Sequence, residues 1–181
     1  MANVFDNQIQ NRNFLSPIGF KFTLAKKPKV SFFSNALRIP EITLGLAVQP
    51  TYLKNIDVPG DKIEYGDFYL RFLVDENLEN YMAIHNWITG LGFPKTTDQF
   101  SKLITDEDGL KDEKLQFSDG TVQILGSNYK PTAKVIFKNL FPTSLSSLEF
   151  EATDTDITYF TAEVSFKYTI YDIVDKNDQP L

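Results

Sequence analysis

Alternating apolar and polar residues recur along much of the chain and predict that it is mainly β. Phe20, Phe22 and Leu24 alternate with polar residues, which is typical of a strand with one buried face. We interpret Val30–Phe33, which follows a basic turn, as its return strand, and Phe141–Ser144 as a sharp corner. The same alternation predicts further strands at residues 68–75, 121–125, 133–140, 148–151 and 160–170.

Residues 42–65 are predicted to form a long hairpin or a pair of irregular strands. One alternating run of apolar residues starts at Ile42 and is broken by Pro50. A second extended run, 52–58, ends at Pro59-Gly60-Asp61, which is a strong turn signal. A proline inside such a pattern favours an edge strand or a bulge over a central strand.

One segment changes to the period of a helix. Asp75–Asn77 supply capping side chains at its start, and glycines followed by Pro94 end it. We expect Trp87 to lie on the flank of this helix. The residues at helical spacing, which we expect to form its packed face, are Leu78, Tyr81, Met82, His85, Ile88 and Leu91.

The remaining segments complete a predicted domain plan. Residues 1–17 form a polar N-terminal arm, 18–171 form a single domain, and 172–181 form a polar tail that frays. Residues 95–119 form an acidic surface excursion with a short helix near 98–104. The predicted fold class is α+β but mainly β, an antiparallel sandwich or barrel of about seven strands with one main helix.

Composition excludes several classes of protein. The 181 residues are 42% hydrophobic, which is enough to bury a core and excludes general disorder. The chain has no cysteine, so disulfides, thiol nucleophiles and cysteine-ligated zinc are excluded. The net charge of −6 argues against a surface devoted to nucleic acid, and no apolar run approaches the roughly 18 residues of a membrane span.

The candidate chemistry in the sequence is weak. His85 is the only imidazole, so a His-based triad or a two-His metal site within one chain is impossible. The acidic stretch 106–113 lacks the ligand spacing of a calcium loop, which favours a solvated loop. Glu149 and Glu151 are interpreted as a polar strand face rather than a catalytic pair. We therefore predict no catalytic residue, no metal and no cofactor, and that the protein is not an enzyme.

The order of motifs along residues 14–171 resembles the tail-tube fold of contractile-tailed bacteriophages. The resemblance is carried by a Phe-rich strand before Ile39-Pro40, the Val58–Lys62 turn leading into strand 68–75, and a helix containing Asn86-Trp87. Its last part is the block from Phe141-Pro142 through 148–151 to the long strand ending in Phe166-Lys167-Tyr168. Within that fold, Leu70–Glu76 followed by the Trp helix looks most like the tube terminator, or tail completion, type.

This resemblance implies a structural protein of a phage tail. Members of the family form hexameric rings around a lumen, so the implied partners are copies of the same chain and neighbouring tube, sheath, neck or baseplate proteins. DNA would pass only transiently through the lumen, no membrane is implied, and the implied location is the virion, with synthesis in the host cytoplasm. An acidic wall suits such a conduit, because it does not hold DNA.

The resemblance also implies contacts between subunits and between rings. We expect these at exposed apolar and acidic positions of the arm, the 42–65 segment and the excursion: Phe5, Phe14, Leu44, Leu46, Tyr52, Asp61, Asp106 and Asp108. The main tube subunit and the baseplate tube initiator, or hub, are the alternatives to the terminator. A more distant alternative is a monomeric β-sandwich binding module, which would hold a ligand such as a carbohydrate on its aromatic surface.

Overall fold

The computed structural model describes residues 14–26, 30, 34–105, 110–151 and 159–180. Within these ranges it has nine strands, two α-helices and one 3-10 helix, and seven of the strands belong to one connected set. The strands are β1 Phe20–Leu24, β2 Ser34–Arg38, β3 Ile42–Pro50, β4 Asn55–Tyr65, β5 Phe68–Leu73, β6 Ser118–Leu125, β7 Pro131–Leu145, β8 Thr161–Lys167 and β9 Ile170–Asp175. The helices are α1 Glu79–Gly92 and α2 Asp98–Leu103, with the 3-10 helix at Glu113–Gln116.

The described strands all pair in antiparallel fashion, and the mainly β prediction is confirmed. A first sheet has the order β1-β6-β7-β9, a second has the order β7-β8-β5-β2, and β3 and β4 form a two-stranded sheet of their own. β1 therefore pairs with β6 and not with a return strand at Val30–Phe33, of which only the buried Val30 is described. The expected strand at 148–151 is irregular backbone.

β7 belongs to both sheets because it bends rather than ends. Its first part pairs with β9, Lys138 opposite Ile170, and its last part continues on β8, Phe141 opposite Lys167. At the bend Asn139 has a left-handed backbone with φ 55°, and its side-chain amide donates to the Thr169 hydroxyl at 3.2 Å. The corner predicted at Phe141–Ser144 thus lies two residues earlier, inside a strand.

The strand predicted at 160–170 is divided at the same bend. β8 ends at Lys167 in the second sheet, and β9 begins at Ile170 in the first sheet and runs to Asp175. The prediction that a frayed tail begins at residue 172 is therefore wrong for residues 172–175, which belong to β9. The Asp175 carboxylate also accepts from the backbone N–H groups of Gln179 and Asn177, which lowers the pKa of Asp175.

The core lies between the two sheets and under α1. Phe68 contacts Phe137 with ring centroids 4.5 Å apart and Phe22 at 5.4 Å, so aromatic rings join the two layers. The buried set also includes Leu24, Leu70, Phe72, Ile84, Trp87, Val122, Val135, Leu140, Ala162, Val164 and Phe166.

The helix α1 is rotated relative to its predicted packing. Trp87 is buried in the core instead of flanking the helix, and its indole N–H donates to the carbonyl of Gln116, the last residue of the 3-10 helix, at 2.9 Å. His85 and Met82, expected on the packed face, are exposed, whereas Tyr81, Ile88 and Leu91 do pack against the core. Gly90 lies against Leu103 of α2, and a side chain there would meet Leu103 at 3.3 Å.

The start of α1 is also held differently from the prediction. Leu78 precedes the helix with φ 58° and has no capping side chain, whereas the Asn80 side-chain oxygen accepts from the Tyr81 N–H in the first turn at 2.8 Å. The buried Asn80 ties the helix to the end of β5 instead, because its amide donates to the Leu73 carbonyl at 2.7 Å. Its side-chain oxygen accepts from the backbone N–H of Asp75 at 3.1 Å. The expected short helix near 98–104 is confirmed as α2.

Candidate assembly surface

The hairpin of β3 and β4 extends from the two-sheet body, and in the described chain these strands pair only with each other. Its turn is at Thr51–Lys54, where Thr51 N–H donates to the Lys54 carbonyl at 3.2 Å. Pro59-Gly60-Asp61, which were predicted to form a turn, instead belong to β4 and lie opposite a register shift between Leu44 and Leu46. The expected hairpin is therefore confirmed, with a bulge where the proline suggested one.

The bulge brings the two backbones very close together. A Cβ on Gly60 would lie 2.5 Å from the Gly45 carbonyl oxygen, so only glycine fits there. Asp61 follows Gly60 on the exposed outside of this bulge. The sequence around Gly60 thus marks a deformation within a long strand and not the end of the hairpin.

One face of the hairpin is apolar and exposed. Register places β3 residues with even numbers opposite β4 residues on this face, which is composed of Ile42, Leu44, Leu46, Val48, Pro50, Asn55, Asp57, Pro59, Ile63 and Tyr65. Leu46 is 71% exposed and Ile63 is 53% exposed. We call these ten residues the apolar hairpin face. Asp57, opposite Val48, is the only charged residue among the ten, and the register assigns Asp61, in the bulge between Pro59 and Ile63, to neither face.

The opposite face of the hairpin is mixed. Thr43 lies opposite Glu64, Ala47 opposite Val58, and Gln49 opposite Ile56. An isolated two-stranded hairpin is marginally stable in water, and a contiguous exposed apolar surface indicates an interaction site. The contrast between the two faces therefore makes the apolar hairpin face the candidate contact surface of the hairpin.

Three tyrosines pack around the root of the hairpin. Tyr65 lies with its ring centroid 6.1 Å from Tyr168 and 5.6 Å from Tyr171. The Tyr168 hydroxyl donates to the Gly66 carbonyl at 3.0 Å, and the Tyr171 hydroxyl donates to the Pro40 carbonyl at 3.4 Å. The segments that lead into β3 and out of β4 are thus both attached to the bend between β8 and β9. We call these three residues the root tyrosines.

Burial raises the pKa of two root tyrosines. Loss of hydration is the main cause for Tyr168, and the neighbouring phenols of Tyr171 and Tyr65 add to it, so its pKa lies far above the usual range. The pKa of Tyr171 is raised in the same direction, mainly by burial. Beside them, the Lys167 ammonium pairs with Asp67, which raises the pKa of that lysine.

A groove of about 460 Å³ lies between β1 and β2, at the two ends of the strand order. Its apolar lining includes Leu15, Pro17, Phe20, Leu37, Ile39 and Ile124. Among the described residues that line it Arg38 alone is charged, and the Arg38 guanidinium stacks over the Tyr69 ring at 5.5 Å. We call this feature the edge groove.

Of the residues predicted as contacts, the structure brings those of the hairpin together. Leu44 and Leu46 lie on the apolar hairpin face, Tyr52 is fully exposed at the turn, and Asp61 lies at the bulge. Phe14 is 95% exposed but lies elsewhere, beside the turn between β6 and β7. The remaining predicted contacts, Phe5, Asp106 and Asp108, lie outside the described residues.

Some residues of this surface were missed. Val48 and Ile63 complete the apolar hairpin face, and the alternation 42–48 already contained the signal for Val48. The root tyrosines Tyr168 and Tyr171 were missed because their partners, Gly66 and Pro40, are distant in sequence.

The rest of the described surface shows little that suggests chemistry. Its strand faces carry ion pairs, among them Arg71 with Glu163 and Lys138 with Asp172. In the described ranges no group of three or more His, Asp or Glu side chains is placed to hold a metal ion. Neither described α-helix has the length and apolar character needed to cross a membrane.

Comparison with solved structures finds close likeness of fold over almost the whole chain. A chain of the anti-feeding prophage tube-terminating cap superimposes with a TM-score of 0.65 at 15% identity, covering 97% of this chain and 99% of that one. A chain of the anti-feeding prophage baseplate gives a TM-score of 0.58 at 10% identity, covering 86% of this chain and 91% of that one. A chain of the sheath-tube complex of the PVC extracellular contractile injection system gives 0.57 at 15% identity, covering 91% and 93%.

At these identities the likeness is one of fold, and the chain has the tail-tube fold. No protein-family model matches the sequence, and no curated protein matches it.

Proposed function

We propose that this protein is a ring-forming structural subunit of the tube of a contractile tail or injection particle. The observation that carries the proposal is the apolar hairpin face, which one copy leaves exposed on a tail-tube fold. Burying apolar side chains contributes about 25 cal/mol per Å², so a neighbouring copy that covered this face would gain stability. Closed rings of identical subunits are a common way to satisfy such a surface.

Within the tube, we favour the terminating ring. Two observations support this position. The cap chain superimposes over nearly the full length of both chains, and Leu70–Glu76 followed by the Trp87 helix resembles the terminator type. The main tube subunit and the baseplate initiator are the alternatives, supported by the TM-scores of 0.57 and 0.58 for sheath-tube and baseplate chains.

The proposed assembly is a hexamer, with adjacent tube, sheath, neck or baseplate proteins as its neighbours. In a phage it would be part of the virion, and DNA would pass transiently through its lumen. The ion pairs on the strand faces support a conduit, because Arg71, Lys138 and Lys167 each have an acidic partner. Paired lysines and arginines offer DNA phosphates fewer free cations to hold.

The test is negative-stain electron microscopy of the purified protein across a concentration series, with light scattering on the same samples. Discrete sixfold rings that do not stack support the terminator, or the initiator. Long tubes identify the main tube subunit. A monomer at every concentration overturns the ring proposal and favours the binding module.

A terminator and an initiator are then separated by the end of the tube to which each binds. Preformed tubes of a purified tube subunit are mixed with gold-labelled rings and imaged. A terminator ring caps tubes that have already formed and stops their growth. An initiator ring instead shortens the lag before new tubes appear.

A further inference from the structure

We propose that the apolar hairpin face of one copy docks in the edge groove of the next copy, where Asp57 pairs with the neighbour's Arg38. This inference rests on the proposed ring and names the contact that closes it. The occupant of the groove is thus a second copy of this chain, and each copy presents both halves of the contact.

The edge groove has the properties of a site for an added strand. The groove lies between β1, which pairs with β6, and β2, which pairs with β5, the strands at the two ends of the strand order. Strands at the ends of a sheet are common sites for the addition of another strand. Between β1 and β2 the lining is mostly apolar, which matches the side chains of Leu44, Leu46 and Ile63.

The charges of the two surfaces match one to one. The apolar hairpin face contains one charged residue, Asp57, and the described lining of the edge groove contains one, Arg38. A carboxylate placed in an apolar contact without a cation is costly, and so is a guanidinium without an anion. Docking the two surfaces supplies each charge with its partner, and the pair also sets the register of the contact.

The hairpin does not fill the groove of its own chain. Only Ile39, Pro40 and Glu41 separate β2 from β3. The root tyrosines attach the segments at both ends of the hairpin to the bend between β8 and β9 of the same chain. In this arrangement Leu46 and Val48 remain exposed. Because donor and acceptor surfaces are different parts of the molecule, the contact is head-to-tail, and such contacts close into rings when the rotation permits.

Charge reversal tests the Asp57–Arg38 pair in the full chain. We expect D57R and R38D each to weaken ring formation on the order of tenfold or more, measured as the concentration at half-assembly by mass photometry. The double variant D57R/R38D restores the pair with reversed charges and should recover most of that loss. The matched controls are E64R, on the opposite face of the hairpin, and K21D, on β1 outside the groove lining.

Cysteine cross-linking tests the contact directly, because the natural chain has no cysteine. Leu46→Cys in one copy and Ile39→Cys in another should be joined by a short bis-maleimide, and the doubly substituted chain should give a ladder that stops at the ring size. Each single variant alone should give no ladder. Thr43→Cys with Ile39→Cys is the matched control for the wrong face of the hairpin.

The outcomes separate this inference from the proposed function. Rings that persist in D57R and R38D, with no cross-link in the chain carrying both Leu46→Cys and Ile39→Cys, overturn the docking contact and leave the ring intact. A wild-type chain that stays monomeric overturns both. A chain lacking residues 1–13 is assayed in parallel: if that deletion alone at least doubles the cross-linking yield, the N-terminal arm occupies the groove instead, and the inference is wrong.

Discussion

The Tyr168 hydroxyl donates a hydrogen bond to the Gly66 carbonyl at 3.0 Å, across 102 positions of sequence. Gly66 lies directly after β4, and its own N–H donates to the Glu41 carbonyl at 3.0 Å, directly before β3. The Tyr168 side chain thus holds the place where the hairpin leaves the body, together with Tyr171, whose hydroxyl donates to the Pro40 carbonyl. The direction of the hairpin is therefore a property of tertiary packing and not of the hairpin itself.

Tyr168→Phe should separate folding from assembly. Loss of the hydrogen bond should lower the free energy of unfolding by about 1 kcal/mol, measured by urea denaturation followed by Trp87 fluorescence. Ring formation should weaken by more than this loss of stability alone would cause, because the hairpin root loses an attachment. The matched control is Tyr81→Phe, which removes a hydroxyl that donates to the Ser146 carbonyl at 3.1 Å, away from the hairpin. Equal assembly by both variants would refute a positioning role for Tyr168.

Alkaline pH should loosen the same root. Burial raises the pKa of Tyr168 in the folded protein above the value of about 10 expected for the unfolded chain. The neutral phenol is therefore favoured by folding, its contribution is complete below pH about 10, and it is lost as the pH rises through the folded-state pKa. Ultraviolet titration should show a late-ionising tyrosine that Tyr168→Phe removes and that Tyr52→Phe, at an exposed phenol, leaves in place. A titration unchanged by Tyr168→Phe contradicts the assignment.

Leu46→Asp should abolish assembly with little effect on folding. Leu46 is 71% exposed in one copy, so its replacement should change the free energy of unfolding by no more than about 0.5 kcal/mol. A carboxylate on the apolar hairpin face should prevent its burial by a neighbour. Ala47→Asp introduces the same charge one residue away on the opposite face and should assemble as the wild type. The mass of the assembled particles is measured by light scattering of the two variants at equal concentration. The same mass for both variants would contradict a contact role for the apolar hairpin face.

The bend in β7 should depend on the left-handed backbone at Asn139. Asn139→Gly adopts φ 55° without strain, whereas Asn139→Val does not. Both variants lose the hydrogen bond to Thr169, so their difference isolates the backbone. We expect the valine variant to be less stable than the glycine variant by about 1–3 kcal/mol in urea denaturation. Equal stabilities would mean that the bend relaxes at another residue.

Trp87 should be the helix residue that the core depends on most. Trp87→Ala removes a fully buried indole and its hydrogen bond to Gln116, and should cost about 3–5 kcal/mol. His85→Ala, on the exposed side of the same helix, should cost no more than about 0.5 kcal/mol. Circular dichroism is the appropriate probe, because Trp87 is the only tryptophan. A larger loss of stability in His85→Ala than in Trp87→Ala would instead support the predicted packed face, which contained His85.

Local patterns predicted the elements of this fold better than their partners. The alternation in 68–75 and the helical spacing before Gly92 report side chains that face a core, so β5 and α1 were located correctly. Pairing of β1 with β6 depends on contacts between distant segments, such as Phe22 with Val122, which no local period encodes. The orientation of α1 likewise involves contacts with distant residues, among them the hydrogen bond from the Trp87 indole N–H to the Gln116 carbonyl.

The candidate surface was predictable to the same extent. The alternation from Ile42 to Val48 predicted strand residues with a common face, and Leu44 and Leu46 were named from it. It did not show that this face is exposed, because alternation is the same whether the apolar side meets a core or a partner. Pro59-Gly60-Asp61 was misplaced for a related reason: the same residues suit a turn and a bulge.

The shared strand β7 also determines how the body responds to force. Its backbone continues from the first sheet into the second through Asn139, so tension on one sheet reaches the other through covalent bonds. The facing ribbon of β8 and β9 crosses at the same point, with Thr169 N–H donating to the Lys138 carbonyl at 3.0 Å. Sliding the layers apart requires shearing a row of hydrogen bonds together, whereas an edge strand can be peeled one bond at a time. The body therefore resists shear between its layers most strongly along β7.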